Sequence, residues 1–152
     1  MIFQVLTLLS QGTAESIVMP VIVMQSNLLC KRFDLSSEVV DVYALIDTGA
    51  TATCISKTLA KKLKLKVIGQ SMMNTAGGLK KANRYIIDLK LPNEISFENV
   101  RAVEFIGNTN FDILIGMDIL MLGDLAITNA EKRTMTSFRV PPAPVHIDFV
   151  KR

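Results

Sequence analysis

The sequence contains no tryptophan, two tyrosines, one histidine and two cysteines in 152 residues. Each scarcity narrows what the chain can do. With His146 as the one histidine, and Cys30 and Cys54 outside any metal-ligand spacing, the side chains for a zinc site are missing and no metal is expected. Two isolated cysteines suit a reducing cytoplasm with both thiols free better than a disulfide scaffold. Few aromatics and no groove-reading or base-stacking motif argue against nucleic acid as a partner, although the formal net charge is +3. Much of that positive charge lies in "SKTLAKKLKLK" (56–66), which reads as the solvated face of a helix. The rival reading, a basic nucleic-acid-binding β-domain, would have to use those same lysines and would bind in a steeply salt-dependent way. No apolar run approaches the roughly 20 residues that cross a bilayer, so no membrane partner is expected. The opening "MIFQVLTLL" has no basic start and no small-residue cleavage site, and reads as a first strand.

What is present is apolar content, 49% of the residues, in short runs. That is enough for one core, and the chain is expected to be one domain over 1–152, with its core at about 16–140 and a tail at 141–152. Segments 16–24, 39–46, 66–73, 84–91, 95–105 and 111–115 are rich in β-branched or aromatic residues and predict strands. Turn signals fall at Gly77-Gly78, Pro92-Asn93 and Gly107-Asn108. The regular spacing predicts a mostly β barrel or sandwich. Two short helices interrupt it. One follows Ser56 as N-cap, with Leu59 and Leu63 at helical spacing; the other is "GMDILML", ending near Gly123. "PPAP" (141–144) cannot continue a ladder, but "VHIDFV" beyond it alternates apolar and polar and is expected to add a strand, within the molecule or across to a partner.

The candidate chemistry centres on "YALIDTGATATCIS" (43–56), where Asp47 directly follows an apolar strand. An ionisable group there is expensive unless hydrogen bonds hold it or a reaction uses it. The bland reading is an aspartate bonded to its own turn. Asp118 reads most simply as an early-turn residue favourable to its helix dipole. His146 reads as structural or exposed, and Cys54 as a small core residue rather than a nucleophile. Met72 and Met73 read as core filling unless they line a cleft.

The Asp47-Thr48-Gly49 motif, leading into a helix and followed later by the apolar-apolar-Gly element "FDILIGMDIL", resembles the retropepsin-type aspartic peptidases. It is closer to the cellular and bacterial members than to the viral ones. The resemblance implies a closed retropepsin-like β-barrel with one or two short helices, and an endopeptidase that needs no cofactor. Asp47, Thr48 and Gly49 would be catalytic, and Ala50 would touch the substrate with Ala76, Gly77 and Gly78 of a glycine-tipped flap. A plain hairpin turn explains those glycines equally well. Thr48 would reach across a two-fold axis to lock two loops together. Asp41, Asp88, Asp112 and Asp118 lack the following Thr/Ser-Gly, and no second motif exists, so a second carboxylate must come from another copy of the chain. The expected protein is therefore a homodimer acting on a protein or peptide. Viral members commonly pair an acidic residue where Thr51 stands with an arginine where Met117 stands to brace the dimer; this sequence has neither, so its dimer is expected to be held differently. The alternative is a catalytically silent module that keeps the fold for dimerisation or peptide binding.

Overall fold

The computed structural model describes residues 3–33, 38–75, 77–105 and 110–150. Strand β2 (Val18–Gln25) runs antiparallel to β3 (Val39–Ile46), joined through helix α1 (Asn27–Phe33). After β3 come a two-residue strand β4 (Cys54–Ile55), helix α2 (Lys57–Lys62), and the long hairpin of β5 (Gly69–Thr75) and β6 (Gly78–Lys90). Strand β7 (Ser96–Glu104), strand β8 (Ile113–Ile115) and helix α3 (Met117–Leu120) follow.

Six of these strands close on themselves in the order β2-β3-β8-β4-β7-β6, with β6 returning to pair with β2. Closure removes the exposed edges that an open sheet would present. The barrel is mixed: β3 pairs parallel to β8, and β4 parallel to β7. Its interior is built from alternate residues of each strand, among them Val21, Val23, Ala44, Ile46, Ile87, Leu89, Ile113 and Ile115, all buried. A second sheet joins β1 (Gln4–Leu9), β10 (Arg133–Val140) and β9 (Asp124–Ala130) in that order. Its Leu6 and Phe138 sit opposite one another and pack into the same core.

The mostly β closed barrel matches the expectation, and β3 occupies the expected 39–46. The helices number three among the described residues rather than one or two. The extra one, α1, has its first amide capped from a distant strand: Asn27 N–H donates to Asp88 Oδ2 at 2.9 Å. A cap supplied 61 residues away leaves no local signal. The β9–β10 hairpin was also not foreseen. It turns at Glu131 and Lys132 with φ of 50° and 60°, a turn type that usually announces itself with Asn-Gly. The tail at 141–150 forms no strand within the chain, and the expected Gly107-Asn108 turn lies outside the described residues.

Helix α2 begins as expected. Ser56 Oγ accepts from Leu59 N–H at 3.0 Å and donates to the Asp112 carboxylate. Ser56→Ala should lower stability by about 1 to 2 kcal/mol, read as a shift of the urea midpoint with an unchanged slope.

Candidate active site

The parallel register Ala44↔Ile113, Leu45↔Leu114, Ile46↔Ile115 brings the ends of β3 and β8 to the same level. Asp47 and Gly116 therefore leave the barrel side by side. Asp47 N–H donates to Ile115 O at 3.0 Å, and Met117 N–H donates to Ala50 O at 2.8 Å. These two bonds tie the 47–53 loop to the β8–α3 connection. Gly116 makes the approach possible, because a Cβ there would lie 2.6 Å from the Ala52 carbonyl and 2.9 Å from Ala50 O.

Within the loop, Gly49 N–H donates to Asp47 Oδ1 at 2.9 Å, and Ala50 N–H donates to Asp47 O at 3.2 Å. This is the aspartate turn foreseen as the bland reading, and it also aims the carboxylate. Asp47 is half-buried, and its Oδ2 has no hydrogen-bond partner among the described residues. Thr48 is exposed and its hydroxyl likewise has no partner among them. The other aspartates named above differ. Asp88 is buried and accepts from Asn27 N–H and Asn99 N–H, and Asp112 accepts from Ser56. Asp118 accepts from Thr53 Oγ1–H at 2.9 Å and from Ile119 N–H at 3.0 Å. Asp41 lies on the outer groove described below.

Two hollows are lined by residues that follow Asp47 in the loop. One, of about 430 Å³, lies between residues 49–54 and the β5 strand and is lined by Ala50, Ala52, Cys54, Met72, Met73 and Val103 among others. The β5–β6 hairpin thus hangs over the loop, and both methionines line this cleft, neither of them buried in the core. The hairpin connects Thr75 to Gly78, which has φ +95°. Gly77 belongs to this connection, while Ala76 lies outside the described residues. The hairpin's base is tied to β7 by Tyr85 Oη–H donating to Glu104 Oε2 at 2.6 Å. Burial and that hydrogen bond push the Tyr85 phenol up to about 12. The second hollow runs from Thr48 past Met121 to His146 and Ile147 of the tail, and His146 itself is exposed. A larger open groove, about 530 Å³, crosses Pro20, Ile22, Asp41 and Tyr43 outside the barrel and includes no residue of the 47–53 loop. Volume is therefore a poor guide to the chemistry here.

Cys54 is buried, with its thiol toward Ala52 O at 3.3 Å. Burial, then the charges of Asp118 and Asp47, push its pKa upward, so it stays a neutral thiol and a poor nucleophile. Thr53 was not foreseen as part of the site. Fully buried, it donates to Asp118 and accepts from Gly116 N–H at 3.3 Å. A threonine in a run of small residues carries no local sign of such a bridge.

A closed barrel with a strand-Asp-Thr-Gly loop pinned beside a glycine turn and covered by a hairpin is the retropepsin-like fold. A family profile described as aspartyl protease matches residues 35–119. The crystal structure of a retropepsin-like aspartic protease from Rickettsia conorii superposes with a TM-score of 0.56 at 15% identity, covering 92% of this chain and 97% of that one. The retroviral protease-like domain of Ddi1 from Leishmania major aligns with a TM-score of 0.40 at 18% identity, over 72% of this chain and 81% of that one. Curated protein sequences give no significant match. The chain belongs to the aspartyl protease family and has the retropepsin-like fold.

Gly116→Ala should separate the two loops, since its Cβ meets backbone rather than a yielding side chain. A loss of about 1 to 3 kcal/mol in urea unfolding is expected.

Proposed function

We propose that the chain is a homodimeric aspartic endopeptidase of the cytoplasm, in which Asp47 of each copy forms half of a catalytic pair. The observation that carries this is the Asp47 carboxylate itself. It is the aspartate after the strand, held by one backbone N–H through Gly49, with its other oxygen unclaimed among the described residues. Two such groups brought together cannot both ionise cheaply, so they share a proton. The ionised member takes a proton from a water, the protonated member donates to the scissile carbonyl oxygen, and the water oxygen adds to the carbonyl carbon. Collapse of the tetrahedral adduct breaks the C–N bond as the amine takes up a proton.

The substrate is an extended peptide lying between Ala50 and the hairpin of Gly77 and Gly78, paired as an added strand. The small and apolar lining of the cleft favours an apolar substrate side chain. The Thr48 hydroxyl, without a partner among the described residues, is available to meet its symmetry mate. Met121 and Ile147, which share a hollow with Thr48, are each 71% exposed, and Phe149 and Val150 farther along the tail are 89% and 92% exposed, apolar surface that supports burial against a second copy. The chain is proposed to work as a single domain, with 16–140 as its core. The rival reading, a silent peptide-binding or dimerisation module, draws on the same Gly49 to Asp47 bond, since an ordinary turn would also make it.

Asp47→Asn separates the two. It keeps an acceptor for Gly49 N–H, so fold and dimer should survive, while peptide-library cleavage falls at least about a thousandfold. An Asn variant that cleaves as well as wild type refutes the catalytic role. Wild-type activity should be greatest at mildly acid pH, where the pair holds one proton, and should decline as that proton is lost. A chain truncated before Pro141 should dimerise more weakly in analytical ultracentrifugation; undiminished dimerisation removes the tail from the interface.

A further inference from the structure

Four hydrogen bonds cross between the 47–53 loop and residues 115–118. Two are backbone to backbone, Asp47 N–H to Ile115 O and Met117 N–H to Ala50 O, and use no side chain. The other two converge on Thr53 Oγ1, which accepts from Gly116 N–H and donates to Asp118 Oδ1. Thr53 is completely buried, so its hydroxyl has one orientation that satisfies both neighbours. Asp118 is the acceptor that selects it. The carboxylate is itself fixed by Ile119 N–H at 3.0 Å, within the first turn of α3, while its remaining surface is open to water.

Thr53 and Asp118 join the same two loops with a charge-assisted hydrogen bond. We infer that Asp118 is a positioning residue: acting through Thr53, it holds the Asp47 loop against the β8–α3 turn at the spacing the reaction needs. It touches neither substrate nor the reacting atoms. This inference rests on the proposed peptidase reading for its kinetic consequence, but its geometric consequence can be read without any activity.

The test uses the full chain with Asp118→Ala, Asp118→Asn, Thr53→Val and the double variant Thr53→Val/Asp118→Ala. Asn keeps an oxygen acceptor for both Thr53 and Ile119 N–H; Ala keeps neither. Asp118→Ala should lower kcat about tenfold with KM little changed, because misplacing a reacting group weakens the transition state more than ground-state binding. Asp118→Asn should restore kcat to within about threefold of wild type. The double variant should be no worse than the poorer single one, as expected when both act through one bond. Amide hydrogen exchange supplies the readout independent of catalysis: residues 47–53 and 116–117 should exchange about tenfold faster in Asp118→Ala and as in wild type in Asp118→Asn. If Ala and Asn exchange alike, or if the double variant loses the sum of the two single effects, Asp118 is not positioning the loop through Thr53. If wild type cleaves nothing but the exchange pattern holds, the peptidase reading fails and the brace stands.

Discussion

The parallel pairing of β3 with β8 is the constraint on which the rest of the structure depends. Three paired positions, Ala44 to Ile46 against Ile113 to Ile115, place the ends of two strands beside each other. Side chains alternate faces along a strand, so a slip of one residue would turn Ala44 and Ile46 out of the core and carry Asp47 away from Gly116. The register is therefore enforced by burial: Ala44, Ile113 and Ile115 have no exposed surface at all. The loop hydrogen bonds follow from that alignment, and the missing Cβ at Gly116 is what lets the two backbones meet.

The distribution of carboxylates follows a simple electrostatic rule. A carboxylate near a protein interior needs donors, and the fold supplies them at Asp88, Asp112 and Asp118. In each case the donor set links elements far apart in sequence, so these groups act as joints. Asp47 receives its N–H from two residues away and, among the described residues, joins nothing distant through its side chain. With one oxygen uncommitted among the described residues, Asp47 is the carboxylate on which the proposed chemistry rests. The neutral, buried thiol of Cys54 beside it reinforces the point, since the same surroundings that raise its pKa disfavour a thiolate.

The barrel's dominant features were legible because they rest on local patterns. The alternation and β-branching of 39–46 predict β3 residue for residue, and Ser56 with Leu59 and Leu63 predicts the start of α2. The hairpin over the cleft was legible as a hairpin from its glycines, but not as a cover, because that depends on where β5 falls relative to residues 49–54. Helix α1 escaped notice because Asp88 caps it from β6, and the β9–β10 hairpin because Glu131 and Lys132 take up positive φ without the usual turn residues.

By itself the sequence determined that a lone Asp-Thr-Gly follows a buried strand and that no second copy accompanies it, since motif and count are properties of the chain. Only the tertiary structure decided that Thr53, Gly116 and Asp118 are hydrogen-bonded or packed against that loop, that Met72 and Met73 line the cleft beside it, and that the Asp47 and Thr48 side chains keep polar atoms unclaimed among the described residues. Those relations are distances between residues remote along the chain, set by strand register and barrel closure, and no local pattern encodes them.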